Sequence, residues 1–156
     1  MASADLYDDL HRALAALFGS PDDRARIPWE TKLSSLIALL RERNPKVSWV
    51  GAYVERPTGS GTLWVDSYQG KVACLEIRSG KGVCGTAFQK RETLIVPDVE
   101  HFPGHIACDA AARSEIVLPL YKDGNLVGVL DLDSHEREAF NADDARGIES
   151  LLSLLA

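Results

Sequence analysis

The chain has 156 residues, of which 46% are hydrophobic and 26% charged, a composition typical of a folded globular protein. Its 17 lysines and arginines are outnumbered by 23 aspartates and glutamates, which gives a formal net charge of −6. This balance argues against partners such as nucleic acid or an anionic membrane surface, because both attract a surplus of basic side chains. No segment reaches the roughly 20 apolar residues that span a bilayer, and the N-terminus lacks a signal-peptide pattern, so a cytoplasmic location is predicted.

Two amphipathic helices are predicted before the first strand, at about residues 3–43 of a single domain spanning residues 1–156. Apolar residues recur at helical spacing in both segments. In the first they are Leu6, Leu10, Leu14 and Leu17. In the second they are Trp29, Leu33, Leu36, Ile37 and Leu40. The pair Asn44-Pro45 is expected to end the second helix, because proline cannot continue it.

The central part of the chain, at about residues 46–134, is rich in strand-forming residues. Strands are predicted at 47–54, 62–65, 72–77, 93–96, 115–121 and 126–132. An Asp-Gly turn within residues 122–125 predicts that the last two strands form an antiparallel hairpin. A short helix is predicted between Gly82 and Arg91, and Asn141 is a candidate N-cap for a closing helix at about 141–155.

The last predicted strand carries apolar residues on both faces, with Leu126, Leu130 and Leu132 on one and Val127 and Val129 on the other. A sheet containing such a strand must be covered on both sides. We expect the terminal helices to cover one face and the irregular segments of residues 80–113 to cover the other. Long ordered loops of this kind are usually functional.

Three carboxylates are predicted to point the same way at one end of this hairpin. Asp131 and Asp133 alternate in phase, and Glu115 lies on the same side of the neighbouring strand. If the three share a pocket, repulsion and desolvation should raise at least one pKa and keep a protonated carboxyl group near neutral pH. The alternative is that the strand ends are exposed to solvent.

Cys74, Cys84 and Cys108 are an odd number of cysteines, and no permanent disulfide framework is expected of them. Cys108 lies three residues after His105 and just before residues 110–113, which can form a helical turn. A helix terminus or an imidazolium would stabilise a Cys108 thiolate. The alternatives are a buried packing cysteine and a zinc site built from the three cysteines and His105, against which the wide spacing of the cysteines argues.

Two other features have both a functional and a plain interpretation. The glycine-rich segment 80–85 resembles a phosphate-binding loop only superficially, so a loop with unusual dihedral angles is the better prediction. Trp49 and Tyr53 lie four residues apart on a predicted strand and face the same way. They form either a pocket wall suited to a methyl or thioether group or a pair of core aromatics.

Five blocks of the sequence, residues 69–74, 80–87, 99–109, 114–119 and 128–134, keep their order and spacing over roughly residues 45–155. Together they resemble the free methionine-(R)-sulfoxide reductases, which are GAF-domain enzymes. The resemblance implies an α+β GAF fold, with a central antiparallel sheet, terminal helices on one face, and the substrate pocket under loops and short helices on the other. It implies no cofactor and no metal.

The resemblance also implies roles for the cysteines. Cys108 matches the cysteine that attacks the sulfoxide sulfur, releases methionine and becomes a sulfenic acid. Cys74 matches the cysteine that condenses with it to a disulfide, and Cys84 matches an alternative or secondary partner. Thioredoxin would restore the dithiol. A homodimer is expected from the family and from the amphipathic terminal helices.

By the same resemblance Glu115, Asp131 and Asp133 hold the substrate. One neutral carboxyl group would protonate the sulfoxide oxygen and another would pair with the substrate ammonium, which a residue in a protein chain lacks. The sequence leaves the division of these roles open. Trp49 and Tyr53 would line the methyl pocket. Two competing functions remain at this stage: a GAF module that senses a small ligand, and a redox sensor whose cysteines report peroxide.

Overall fold

The computed structural model describes residues 3–106 and 108–156. Met1 and Ala2 of the predicted domain, and Ala107 of the third sequence block, lie outside the described residues. The described helices are α1 (Ser3–Phe18), α2 (Pro21–Arg26), α3 (Trp29–Arg43), α4 (Gly82–Lys90) and α5 (Ala142–Leu152). The described strands are β1 (Trp49–Glu55), β2 (Thr62–Gln69), β3 (Glu76–Arg78), β4 (Leu94–Val96), β5 (Ser114–Lys122) and β6 (Asn125–Ser134). Single 3-10 turns occupy Val99–His101 and Ser153–Leu155.

The strands form one antiparallel sheet in the order β3-β2-β1-β6-β5-β4. The predicted hairpin between β5 and β6 is confirmed, with Lys122 paired to Asn125. Asp123 and Gly124 in the turn have φ angles of 52° and 77°, as the tight hairpin turns compatible with strand twist require. This hairpin lies next to β1 and places Glu115, Val117, Val129, Asp131 and Asp133 over the pocket face.

Helices α1, α3 and α5 cover one face of the sheet, as the sequence predicts. The stripe predicted for α1 is wrong at Leu17, which is 66% exposed, whereas Leu6 is partly buried and packs against the helix-side cluster. The buried positions are Tyr7, Leu10, Leu14 and Phe18. The helix is turned toward Tyr7 because its hydroxyl is held in a buried polar network with α5.

That network centres on Asp144, which is fully buried. Its Oδ1 accepts a hydrogen bond from the Tyr7 hydroxyl at 2.9 Å and lies 2.7 Å from Lys46 Nζ. Its Oδ2 accepts from the backbone N–H of Asn141 at 2.8 Å, which completes the capping box at the start of α5. The contacts join α1, α5 and the segment before β1, so this carboxylate stabilises the helix layer.

A short helix, α2, occupies the region between the two predicted helices, where a break was expected. Ser20 and Asp23 form a capping box around it and Pro21 occupies its first turn. It buries no side chain, so its local capping rather than packing accounts for it. Within the described residues, no helix is long and apolar enough to cross a membrane.

The opposite face of the sheet is covered by α4 and the loops around it. One prediction for this face is wrong: Leu126 packs on the pocket side and Val127 on the helix side. A register irregularity between Leu120 and Tyr121 shifts the pairing so that Tyr121 lies opposite Leu126. Such a bulge reverses the alternation of the residues beyond it, while Val129 and the residues after it keep their predicted faces.

Two predictions near the cysteines differ from the described structure, one in the extent of a strand and one in a helical turn. The strand predicted at 72–77 is reduced to β3, and Val72 and Leu75 are exposed. No helix follows Cys108, because the Asp109 side chain accepts a hydrogen bond from the Ala111 N–H at 2.9 Å. This local turn competes with a helical one. Both cysteine segments are therefore loops over the pocket face.

Candidate active site

The three predicted carboxylates meet on the pocket face of the sheet. Strand pairing places Glu115 opposite Asp133 and Asp133 opposite Trp49, while Asp131 lies opposite Gly51. Glu115 is 5% exposed and Asp131 is 6% exposed, and Asp133 is half-buried. The alternative of solvent-exposed strand ends is therefore wrong, because α4 and the cysteine loops cover this end of the sheet.

Burial and mutual repulsion raise the pKa of every carboxyl group in the cluster. Removal from water raises the pKa of Glu115 to about 8, and the charge of Asp133 adds to the effect. Burial, followed by the neighbouring carboxylates, likewise raises the pKa of Asp131 and of Asp133. The charged forms lack the hydration that water would give them. The cluster consequently retains a transferable proton at neutral pH.

His105 adjoins the cluster without neutralising it. Its Nε2 lies 3.4 Å from Glu115 Oε1. Burial lowers the pKa of His105, so the imidazole is neutral at pH 7. Lys71 and Lys81 also line the pocket, but among the described residues no lysine or arginine forms an ion pair with the three carboxyl groups. A positively charged ligand group would find favourable electrostatics there.

Asp131 has an unfilled hydrogen-bonding position. Its Oδ1 is buried and has no hydrogen-bond partner among residues 3–106 and 108–156. An unpaired buried acceptor costs free energy that a ligand donor can recover. A ligand that carries an N–H group could therefore donate a hydrogen bond to Asp131 Oδ1.

Cys84, at the start of α4, lies against the same carboxyl groups. Its Sγ is 3.9 Å from Glu115 Oε2, and burial raises the pKa of the thiol well above its ordinary value. Cys84, Glu115 and Asp131 bring their ligand atoms within 4.8 Å of one another. A three-cysteine zinc site is not assembled, because the other two cysteines are bonded to each other.

Cys74 and Cys108 form a disulfide with a Cα–Cα distance of 5.6 Å. The pairing agrees with the one that the family resemblance implied. Cys108 is exposed and Cys74 half-buried, so the disulfide lies at the mouth of the pocket. The carbonyl of Cys74 accepts a hydrogen bond from the Tyr53 hydroxyl at 3.1 Å. The disulfide loop is thereby tied to the aromatic side of the pocket.

Trp49 and Tyr53 line the pocket together, as the strand alternation predicts. Their rings stack with centroids 6.1 Å apart, and the indole N–H donates to the Lys71 carbonyl at 3.0 Å. Sequence reasoning missed a third ring, Tyr68, which stacks on Trp49 at 5.6 Å. The three rings form a continuous stack, in which Trp49 and Tyr53 line the pocket and Tyr68 supports Trp49.

The missed ring is explained by a glycine. Gly51 lies opposite Tyr68 in the β1–β2 pairing. A Cβ at Gly51 would be 2.4 Å from Trp49 Cη2 and 2.5 Å from Tyr68 Cβ. The absence of a side chain lets the indole lie flat on the sheet. A glycine inside a strand marks such close approaches, and this pattern could have pointed to Tyr68.

The arrangement combines a disulfide-bonded cysteine pair with carboxyl groups of raised pKa and an apolar wall. The lining of the cavity includes Trp49, Tyr53, Cys84, Cys108, Glu115, Asp131 and Asp133. A thiol at the mouth can act as a nucleophile. A neutral carboxyl group inside can protonate a leaving oxygen. The site is therefore equipped for thiol-dependent reduction of a small molecule that carries an ammonium group.

Comparison with known proteins agrees with this chemistry. A family model described as a GAF domain matches residues 30–156. The chain is 39% identical over 155 residues to the free methionine-R-sulfoxide reductase of Escherichia coli, covering 99% of this chain and 89% of that protein. It is 42% identical over 135 residues to the Saccharomyces cerevisiae protein of the same name, covering 83% and 75%.

The fold is also similar to that of a solved structure. The free methionine-R-sulfoxide reductase of Neisseria meningitidis, in complex with its substrate, superimposes with a TM-score of 0.88 at 36% identity. The match covers 99% of this chain and 89% of that one. Sequence and fold therefore agree over nearly the whole described chain.

Proposed function

The chain belongs to the free methionine-(R)-sulfoxide reductase family of GAF-domain proteins, and we propose that it reduces free L-methionine-(R)-sulfoxide to methionine. The observation that carries the proposal is the joint presence, in one pocket, of the Cys74–Cys108 disulfide and of a buried carboxyl cluster with raised pKa values. The disulfide is the expected product of one turnover, and the cluster supplies the proton that the reaction needs.

In the proposed reaction Cys108 is the nucleophile. Its thiolate attacks the sulfoxide sulfur, the S–O bond breaks, and methionine leaves while Cys108 takes the oxygen as a sulfenic acid. The sulfoxide is reduced by two electrons and the cysteine is oxidised by two. Cys74 then attacks the sulfenic sulfur and releases water, which forms the disulfide. The buried thiol of Cys84 is a secondary partner, held against Glu115.

We assign the proton donor to Glu115. Its pKa of about 8 keeps it protonated at pH 7, and the sulfoxide oxygen is a poor leaving group until it is protonated. The neighbouring His105 is neutral and does not compete as a charged partner. Glu115 can therefore give its proton to the departing oxygen and recover one from solvent between turnovers.

We assign the substrate ammonium to Asp131 and Asp133. The unpartnered Oδ1 of Asp131 can accept one of the three ammonium N–H groups. Asp133, which is only half-buried, supplies a second acceptor. An amide nitrogen in a protein chain carries no such charge and would leave the carboxylates unpaired. The selectivity for the free amino acid follows from that penalty.

The aromatic wall is assigned to the methyl and thioether part of the substrate. Trp49 and Tyr53 present apolar ring surface toward the pocket. A methyl group on that surface would be fixed on one side of the sulfur, with the oxygen directed toward Glu115. Such placement would distinguish the R from the S epimer, because the S epimer exchanges the methyl group and the oxygen.

The proposal includes thioredoxin as the reductant and the cytoplasm as the compartment, since a thiol cycle needs a source of reducing equivalents. A homodimer is also proposed, on the family resemblance, and sedimentation velocity tests it directly. A single species with the mass of one chain would contradict the dimer without affecting the proposed reaction.

The decisive experiment measures NADPH consumption with thioredoxin and thioredoxin reductase. Free methionine-(R)-sulfoxide, its S epimer and an N-acetylated R sulfoxide are supplied as separate substrates. Turnover of the free R epimer alone is expected. Equal turnover of the N-acetylated compound would contradict the assigned role of the aspartates. No methionine release from any of the three, with dithiothreitol as well, would contradict the proposed function and favour a GAF sensor.

A further inference from the structure

Exposed apolar side chains surround the disulfide. Among the described residues, six large apolar side chains are exposed, and three of them lie within two residues of a disulfide cysteine. Val72 is 83% exposed, Leu75 is 68% exposed and Ile106 is 38% exposed. Two residues of chain span at most about 7 Å, so each lies close to the S–S bond. We call these three residues the apolar rim.

Val72 and Ile106 border the pocket and Ile106 lies against Gly82, but core packing does not account for the exposed surface of the rim. None of its three side chains belongs to either of the two hydrophobic clusters that cover the sheet. The backbone carbonyl of Leu75 accepts a hydrogen bond from the Val65 N–H at 2.9 Å, so the chain is held in place while the side chain faces solvent. Clustered apolar exposure on an ordered surface is typical of an interaction site.

The disulfide at the centre of the rim limits what can bind there. The cysteine pair must regain two electrons and two protons before another turnover. A small thiol can reach the exposed Cys108 without help from surrounding side chains. A protein that brings a thiol to the same sulfur must cover the surface around it, and apolar side chains reward that contact.

We propose that Val72, Leu75 and Ile106 form the docking surface for a protein dithiol that reduces the Cys74–Cys108 disulfide. The proposal rests on the proposed function, which needs the disulfide to be recycled. The proposed partner is a protein with two thiols set in an apolar surface, because an apolar surface complements the rim.

The exchange is balanced in atoms and electrons. A thiolate of the reductant attacks Cys108 Sγ, the more exposed of the two cysteines. A mixed disulfide forms, and Cys74 leaves as a thiolate that takes a proton. The second thiol of the reductant then attacks the reductant's first sulfur, which is bonded to Cys108, and releases Cys108 as a thiolate that takes a proton. The reductant becomes a disulfide, and this chain becomes a dithiol.

The test follows reduction of the disulfide directly, without sulfoxide. The full chain is oxidised with diamide, and its reduction by thioredoxin or by dithiothreitol is followed through the release of free thiols. Leu75→Ser and the double variant Val72→Ser/Leu75→Ser weaken the rim. Leu17→Ser is the matched control, because Leu17 has the same side chain and is 66% exposed on the opposite, helix-covered side. Ile106 is left intact because it packs on Gly82.

We expect Leu75→Ser to lower the second-order rate with thioredoxin about 5-fold and the double variant to lower it about 20-fold, as for residues at the centre of an interface. The rates with dithiothreitol should stay within about 2-fold, and Leu17→Ser should change neither. Unchanged thioredoxin rates in both rim variants would overturn the proposal. An equal loss with both reductants would do so too, because it would mark an effect on the disulfide itself.

Two further measurements separate the remaining explanations. A thioredoxin variant with only its attacking cysteine should be trapped on Cys108, identified by peptide mapping, and trapping on Cys74 would overturn the assigned sulfur. Sedimentation of the rim variants should match that of the unmodified chain. A loss of mass would instead identify the rim as a contact between copies of this chain. Because no sulfoxide is used, failure here is distinct from failure to release methionine.

Discussion

Asp144, in the helix layer, and Asp131, on the pocket face, are two buried aspartates on opposite sides of the sheet. They differ in how many polar partners surround them. Asp144 is fully buried, with the Tyr7 hydroxyl, the Lys46 ammonium and a backbone N–H as partners. Asp131 is 6% exposed, faces other acids and has an oxygen with no hydrogen-bond partner among the described residues. One site is electrostatically complete and the other is not.

This difference in partners suggests that Asp144 contributes to stability and Asp131 to ligand binding. A buried charge costs free energy unless partners compensate it. On the helix face the partners come from the chain itself, so Asp144 joins three segments of the fold. On the pocket face the compensation is left to a ligand, so the acids there are costly for the fold and available for binding. Substitutions on the two faces should consequently affect different measurements.

The largest effect on activity is expected at the disulfide. Cys108→Ser should lower methionine release at least about 1,000-fold because it removes the nucleophile. Cys74→Ser should release about one equivalent of methionine and then stall. Single-turnover assays with quantified methionine test both variants. Stoichiometric release by Cys108→Ser would contradict the assignment of the nucleophile.

Matched Asp→Asn substitutions test the comparison directly. Asp144→Asn should lower the free energy of unfolding by about 3 kcal/mol, because it removes one partner of a buried ion pair. Asp131→Asn should leave stability unchanged or higher while raising KM at least about 10-fold, because it removes an acceptor for the substrate ammonium.

Urea denaturation and steady-state kinetics of both variants provide the readout. Loss of stability in Asp131→Asn with unchanged KM would break the comparison, because it would make that carboxylate a structural group. Lys46 offers an independent check, since Lys46→Met should reproduce much of the Asp144→Asn destabilisation.

Glu115 predicts a specific pH dependence. Its pKa is about 8 when folded and about 4.3 in an unfolded chain. The folded state therefore holds a proton that the unfolded state has lost between these values. The stability from this group is complete below about pH 4.3 and falls by up to about 1.4 kcal/mol per pH unit until pH 8.

Glu115→Gln should remove that slope. Relative to the unmodified chain, the variant should therefore gain more in melting temperature at pH 8 than at pH 5. We expect the single-turnover rate of the unmodified chain to fall as pH rises through about 8, and the same variant should lack that fall. Melting curves and stopped-flow rates across pH 5–9 measure both effects. An unchanged pH profile for the rate would exclude Glu115 as the proton donor.

The smallest effects are expected at two glycines that contact aromatic rings. A Cβ at Gly51 would be 2.4 Å from the Trp49 ring, and one at Gly147 would be 2.2 Å from the Tyr7 ring. Gly147→Ala should cost about 2 kcal/mol of stability, since it separates α1 from α5. Gly51→Ala should instead raise KM about 5-fold by displacing the indole. If both variants raised KM equally, the claim that substitutions on the helix side affect stability rather than substrate binding would be contradicted.

Much of the layout follows from local patterns. Strict alternation along the two strands of the hairpin predicts that Glu115, Asp131 and Asp133 share a face. The Asp-Gly turn predicts the pairing, and Asn141 predicts the start of α5. These features depend on neighbouring residues and on the period of a strand or helix. The GAF fold and the reaction were predicted from the family resemblance, because local patterns alone indicate neither.

Other features depend on which distant segments meet. The burial of the carboxylates requires α4 and the cysteine loops to cover the strand ends, and no local pattern encodes that cover. The bulge that exchanges the faces of Leu126 and Val127 reflects pairing between strands rather than propensity. Tyr68 joined the aromatic wall because Gly51, on another strand, leaves space for the indole.

The sequence by itself determined that Glu115, Asp131 and Asp133 share a face of the hairpin, that Asn141 caps α5, and which family the chain resembles. Only the tertiary structure decided which carboxylates lose water and which of them find partners. The physical reason is that hydration and charge compensation depend on everything packed within a few ångströms. Asp131 and Asp144 have the same side chain, and their different surroundings leave an oxygen of Asp131 without a partner among the described residues while Asp144 is fully paired.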